Sequence, residues 1–200
     1  MEYHVGGMRL RLPEGYSAPA MQEQEPAETL TLMKETVEMS AVVTVRTAGP
    51  DEVLPEGEWT LIDRLHEGLG DRQGIIEVRS GSTAQGRRYI YSLVKNGKDP
   101  EGVWYELNGD FCFEGGVLRV SGRFDEEAAG VERENIVFNL SARMNEIDIM
   151  TYSWYQDPYE EGLVKGLRMN MSEEEQFDEY FPAHPLSQAR ALMRDIIELN

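Results

Sequence analysis

In Phe111-Cys-Phe-Glu-Gly-Gly-Val-Leu-Arg-Val120 two alternating segments meet at a glycine pair. Gly-Gly accepts positive φ at both turn positions without steric cost, so the spacing predicts a two-residue hairpin loop at Gly115-Gly116. The implied register sets Glu114 opposite Val117, Phe113 opposite Leu118, Cys112 opposite Arg119 and Phe111 opposite Val120. Paired residues share a face. One face is then Phe111, Phe113, Leu118 and Val120, wholly apolar, and the other holds Cys112, Glu114, Arg119 and Ser121.

The same period of two recurs upstream. Met8, Leu10 and Leu12 alternate with Arg9 and Arg11 until Pro13 and Gly15 stop the segment, and Val37, Met39, Ala41, Val43 and Val45 share one side of a strand over Thr36 to Arg46. Ile75 to Arg79, Arg87 to Val94 and Val103 to Leu107 read as further antiparallel strands, with Asn96-Gly97 and Pro100 marking a turn. Glu134 to Ala142 reads as one more, because Ile136, Phe138, Leu140 and Ala142 alternate with Asn135, Val137, Asn139 and Ser141. Ser17 to Pro26 and Asp125 to Gly130 read as loops, and Ile147 to Tyr155 as a strand closed by the Asp157-Pro158 turn.

Helical spacing appears in three places. Trp59, Ile62, Leu65, His66 and Leu69 form a stripe between Glu58 and Gly70. Ser172-Glu-Glu-Glu175 fits a capping box ahead of Phe177, Tyr180 and Phe181, with Pro182 as the stop. Pro185 suits a first helical position, and Leu186, Ala189, Met193, Ile196 and Ile197 line one side of a last helix. The expectation is a single α+β domain over residues 1–200, an antiparallel meander flanked by helices. Residues 144–182 form an aromatic and acidic insertion, and 183–199 a C-terminal helix that docks.

Composition narrows the partners. Two hundred residues carry 37 Asp and Glu against 19 Lys and Arg, a formal charge of −18. Such a field repels phosphate backbones and argues against a nucleic-acid ligand, while favouring a basic protein. No run of about 18 apolar residues would insert in a membrane, and no apolar run follows a positive flank at the start. Cys112 is the one cysteine, so no internal disulfide framework exists, which suits a reducing, cytoplasmic setting.

The order of segments adds a resemblance. A Gly-Gly strand ending in Leu12-Pro-Glu-Gly15, an alternating strand, a helix, a meander with Gly86-Arg-Arg-Tyr89 opening one strand, and a closing helix follow in turn. This order, over roughly residues 5 to 142 plus the last helix, resembles the fold of the PsbP-like proteins, the Mog-type Ran-binding proteins and the DcrB-like bacterial lipoproteins. The resemblance implies a PsbP-like α/β/α sandwich and an interaction role without a catalytic centre. The chain departs from it in lacking a lipoprotein Cys near its start and in its long Met144 to Pro182 segment, and no functional residue carries over.

Individual side chains give few chemical leads. Arg119 beside Cys112 would favour a reactive thiolate, but a free Cys is ordinarily a small buried apolar residue. His4, His66 and His184 show no metal-ligand spacing, His66 bordering the first helix's buried stripe and His184 preceding a helix start. The acidic groups Glu23/Glu25/Glu28, Asp125 to Glu127, Asp157/Glu160/Glu161 and Glu173 to Glu175 lack calcium-loop spacing and read as solvated surface, the last also complementing a helix's positive end. Gly81 to Gly86 lacks a phosphate-loop pattern and reads as a turn. No cofactor is implied.

The strongest recognition candidate is the cluster Tyr152, Trp154, Tyr155, Asp157, Tyr159, Glu160 and Glu161, since Tyr and Trp dominate interface hot spots and the carboxylates suit a basic face. The competing reading packs these rings between the last helices and the sheet. The expected function is a non-catalytic protein-binding domain, an adaptor, assembly or immunity-type factor. The alternative is a small hydrolase or a metal- or small-molecule-binding protein, with an acidic cleft and Cys112 or His184 in it.

Overall fold

The computed structural model describes residues 1–18, 28–49, 52, 54–98, 102–114, 116–127, 131–143 and 154–200. The chain is an α+β sandwich built on a six-stranded antiparallel sheet. In chain order its elements are β1 (Glu2–Val5), β2 (Met8–Arg11), β3 (Thr29–Glu35), β4 (Met39–Thr47), α1 (Glu58–Gly68), β5 (Gln73–Ser82), β6 (Arg88–Gly97), β7 (Val103–Phe113), β8 (Gly116–Glu126), α2 (Val131–Arg143), β9 (Tyr155–Gln156), β10 (Met169–Asn170) and α3 (Pro185–Leu199). Six strands pair in the order β3-β4-β8-β7-β6-β5, while β1 with β2 and β9 with β10 form separate two-stranded ladders.

The alternation segregates the two faces. Met39, Ala41, Val43, Val45, Leu107, Phe111, Leu118, Val120 and Phe124 lie on one face, fully buried with Leu186, Ala189, Met193 and Ile196 of α3 and with Val5, Met8 and Leu10 of the first hairpin. Burying a side chain of this size stabilises by about 1.5–3 kcal/mol, so this layer supplies much of the cohesion. Gly109 allows α3 to sit close, since a Cβ there would stand 3.3 Å from the Met193 Cε. At the chain's end the Asn200 side chain bonds the Arg11 backbone, accepting from its amide at 2.9 Å and donating to its carbonyl at 2.8 Å. The opposite face is covered at β5 by α1, through Ile62, Leu69, Ile75 and Val78.

Elsewhere that second face carries polar rows. Arg46 and Arg119 stand directly opposite each other on β4 and β8, an arrangement that like charges disfavour. Glu52 resolves it by accepting from Arg46 at 2.6 Å and Arg119 at 2.5 Å, and Asp110 takes the other edge of Arg119 at 2.7 Å.

Several sequence expectations are corrected. The β7–β8 turn comes one residue early, with Gly116 in the strand, so the pairing shifts by two: Phe113 pairs with Gly116, Cys112 with Val117 and Phe111 with Leu118. The shift is even, so the predicted faces survive, but Arg119 meets Asp110 instead of Cys112. Glu134 to Ala142 belongs to a helix, α2. Its inward side is Arg133, Val137 and Ser141, four residues apart, while Ile136 and Leu140 are exposed, so apolar alternation misled because the buried stripe begins and ends on polar residues. No α-helix spans Ser172 to Phe181; two 3₁₀ turns, Met171–Glu173 and Glu175–Phe177, take its place. The capping box lies two residues earlier, between Asn170 and Glu173. β1 and β3 are strands that the sequence pattern does not predict, and Val37 is an exposed turn residue outside β4. Most of the strand expected over 147–155 lies outside the described residues; Tyr155 belongs to β9.

Candidate protein-binding face

Two polar assemblies lie between the sheet and the segments packed on it. The first is buried. Lys95 and Glu173 pair at 2.9 Å, and Glu173 also accepts from the Tyr105 hydroxyl at 2.8 Å and the Asn170 amide at 2.8 Å. Arg190 donates to Glu77 at 2.9 Å and to Asp178 at 3.1 Å, and Arg133 donates to the same Asp178 oxygen at 3.1 Å and to the Ser187 hydroxyl at 2.8 Å. Three cations, Lys95, Arg133 and Arg190, thus meet three anions, Glu77, Glu173 and Asp178. Buried charge persists only when paired and hydrogen-bonded in this way. Burial holds the Tyr105 hydroxyl well above its usual pKa, with Glu173 adding to the effect, so it stays a donor. Glu173 is therefore internal, against the solvated first-turn carboxylate expected from its place in the sequence.

A hollow of about 30 Å³ beside this cluster is lined by Lys95, Tyr105, Glu126, Glu173 and His184 among others. That is room for about one water, and too little for an organic substrate. His184 caps α3, its Nδ1 accepting from the Leu186 amide at 3.2 Å, and its Nε2 lies 3.4 Å from Glu126. His66 lies on α1 and Cys112 is half-buried on the polar sheet face, so the side chains considered for a reactive cleft are spread over separate elements. Among the described residues no three His, Cys, Asp or Glu side chains are grouped to hold a metal ion.

The second assembly is at the surface, where the loop after β9 folds against α1. Asp157 organises this loop by accepting from the Tyr159 and Glu160 amides, both at 2.9 Å, a local turn that Asp supports through its own side chain. The same carboxylate lies 3.2 Å from His66 Nε2, and Glu160 is 3.9 Å from His66 Nδ1, which fastens the loop to the helix. Tyr159 then inserts its ring beside Ile62, Leu69 and Val78. Over it stands Trp59, edge-on to Tyr159 with ring centroids 6.4 Å apart and 68% exposed. Asp63 and Glu67 follow Trp59 at helical spacing on the exposed side of α1, and Glu160 and Glu161 are exposed on the loop.

The residues expected to bind a partner divide in this setting. Tyr155, Glu160 and Glu161 are exposed, while Asp157 and Tyr159 are mostly covered. Trp154 is 6% exposed: Phe138 meets it edge-on at 5.0 Å, and Val137, Met171, Phe177 and Phe181 complete the cluster. Tyr152 lies outside the described residues. The helical spacing puts Trp59 in the buried stripe of α1, whereas the structure leaves it exposed. The signal against that reading was local, since Asp63 and Glu67 occupy the positions that continue its side of the helix.

No protein-family model matches this chain. No curated protein matches it in sequence either. Among solved structures the chain is similar to cyanobacterial PsbP (CyanoP) of Synechocystis sp. PCC 6803, with 15% identity and a TM-score of 0.41 over 73% of this chain and 89% of that one. It is similar to the Ran-binding protein Mog1p of Saccharomyces cerevisiae, with 14% identity and a TM-score of 0.40 over 70% of this chain and 82% of that one. A mutant of protein Mog1 matches at 12% identity and a TM-score of 0.41, over 99% of this chain and 96% of that one. PsbP and Mog1 stand in the fold group that the order of sequence segments resembled. No helix among the described residues is long and apolar enough to cross a membrane.

Proposed function

We propose that this chain is a non-catalytic protein-binding domain working in the cytoplasm, and that it meets a basic partner through the face formed by α1 and the loop after β9. The observation that carries this reading is the exposed indole of Trp59, held edge-on by Tyr159 and bordered by Asp63, Glu67, Glu160 and Glu161. A large apolar ring in a rigid setting gives contact area at small entropic cost, and the surrounding carboxylates repel acidic surfaces while speeding encounter with basic ones. The net charge of −18 acts in the same direction at longer range. Tyr155, exposed next to the buried Trp154, offers a second exposed aromatic ring. An adaptor, an assembly factor or an immunity-type protein that blocks a basic target all use such a face.

The test is affinity capture from cell extract at low and high salt, with the wild type, Trp59→Ala and the double variant Glu160→Gln/Glu161→Gln. The expected result is a basic protein retained at low salt, released by high salt and lost with either variant. Absence of any partner at every salt concentration overturns the proposal, as does capture that both variants leave unchanged.

A further inference from the structure

Three hairpin turns converge at one end of the fold: residues 6–7 between β1 and β2, 83–87 between β5 and β6, and the β7–β8 connection past Phe113. Between them lies an open concavity of about 630 Å³, lined by Arg9, Arg87, Arg88, Cys112, Phe113 and Glu114 among others. Its charge is opposite to that of the molecule. Three guanidiniums against one carboxylate give a local balance of +2 in a chain of −18.

Many guanidiniums elsewhere are neutralised, with Arg64 and Arg168 as exceptions among the described residues. Arg46, Arg79, Arg119, Arg123, Arg133, Arg190 and Arg194 all have carboxylate partners. Neither Arg87 nor Arg88 has a carboxylate within 4.0 Å among the described residues, and Arg9 has only Glu2, at 3.9 Å and outside the concavity. Arg87 is nonetheless held in place, because its guanidinium stacks 4.2 Å from the centre of the Phe113 ring and its backbone closes the turn onto Thr83 at 2.8 Å. A guanidinium over an aromatic ring with no carboxylate partner keeps its planar donor fork available to an anion.

We propose that this concavity is a binding site for a small organic phosphate monoester, with the phosphate taken by Arg87 and Arg88 and the organic part laid against Phe113. A phosphate monoester is a dianion near neutral pH and matches the local +2, while its oxygens match the guanidinium fork in two-point contacts. A monocarboxylate leaves one positive charge unanswered. A polyanion such as nucleic acid or a long acidic peptide is turned away by the negative field of the rest of the chain, whereas a compact dianion is enclosed by the local positive one. The concavity is of the size that small-molecule sites occupy. This site is separate from the α1 face and does not depend on the protein-binding reading.

Phenyl phosphate serves as the probe, with inorganic phosphate, phenol and a hexaglutamate peptide for comparison, followed by amide chemical shifts of the full chain. The expected result is saturable binding of phenyl phosphate, tighter than inorganic phosphate, with shifts gathered at residues 7–9, 85–88 and 112–114 and none from phenol. Arg88→Gln should weaken it at least about tenfold with an unchanged melting temperature, since this side chain is exposed and makes no side-chain hydrogen bond or ion pair among the described residues. Occupancy should also slow labelling of Cys112 by a neutral disulfide reagent, because the thiol lines the same concavity. The proposal is overturned by an absence of saturable binding, by binding that Arg88→Gln leaves intact, by equal affinity for inorganic phosphate, or by tighter binding of hexaglutamate.

Discussion

Tyr159 closes the outer edge of β5 at Val78. Its hydroxyl oxygen accepts from the Val78 amide at 2.6 Å and lies 3.3 Å from the Val78 carbonyl as donor, so one side chain answers both backbone groups that an added strand would use. Glu58 answers the amide alone at Ser80, accepting from it at 2.6 Å, and the Leu167 amide donates to the Gln73 carbonyl at 2.8 Å. An uncovered edge strand is a template for unwanted pairing, and here α1 and the loop after β9 cover it. Tyr159→Phe should therefore cost about 1–2 kcal/mol by leaving the Val78 amide without its acceptor. Hydrogen exchange at Val78 should accelerate relative to Ile75 and Leu93. Unchanged exchange at Val78 would show that the hydroxyl does not protect the edge.

The salt bridge between Lys95 and Glu173 makes a second test, because both side chains are at most 5% exposed. Removing one member strands the other charge in the interior, so Glu173→Ala should destabilise by about 3–5 kcal/mol in urea unfolding. Lys95→Met should cost less than Glu173→Ala. Glu173 additionally satisfies Tyr105 and the Asn170 amide, whereas Lys95 makes one bond. The double variant should fall short of the sum of the two, since the second substitution removes a charge already left alone. Strict additivity would mean that the pair contributes no coupling.

Trp59 and Trp154 should respond in opposite ways. Trp154 fills a cluster with Phe138, Val137 and Phe177, and Trp154→Ala should cost about 3–5 kcal/mol by leaving a cavity. Trp59→Ala removes a ring that is mostly in solvent and should move stability by no more than about 0.5 kcal/mol, while reducing partner capture. Thermal unfolding of both variants separates the roles, and a large loss with Trp59→Ala would return that residue to the core.

These contrasts show where the sequence was legible. Strands with one apolar face, such as Met8–Arg11 and the Val103 to Leu107 part of β7, could be read because period two survives wherever one side meets a core and the other meets water. The last helix was readable for the same reason at period 3.6, with Pro185 as its start. Legibility failed where buried positions are polar. Arg133 on α2, and Glu173 and Asp178 after it, are internal through ion pairs with one another, with Lys95 of β6 and with Arg190 of α3 that no local pattern announces. The binding face was half legible for a related reason: the loop's carboxylates and Tyr155 stood out, but whether Trp59 or Trp154 is the exposed indole depends on which helix packs over each. Cys112 lost its expected partner to a two-residue register shift that preserves every face.

Glu52 gives the acid side of the stability profile a specific origin. The hydrogen bond from Arg46 lowers its carboxyl pKa most, the Gly49 amide and Arg119 add to this, and together they bring it from 4.5 down to about 2. A carboxyl whose folded pKa lies below its unfolded value stabilises the fold above the unfolded value and loses that contribution as pH falls through the folded one. The contribution of Glu52 is therefore complete above about pH 4.5 and fades between there and about pH 2. Glu175 is lowered by Arg79, and Asp125, despite burial acting the other way, is lowered by Arg123 and Lys98, so both add to the same acid limb. Glu52→Gln should leave the neutral-pH fold intact, make it less stable at pH 7, and flatten the fall in urea midpoint between pH 4.5 and 2 without abolishing it. A variant with the wild-type slope over that interval would show that Glu52 does not bridge Arg46 and Arg119 in solution, and would leave the two opposed guanidiniums to repel each other across β4 and β8.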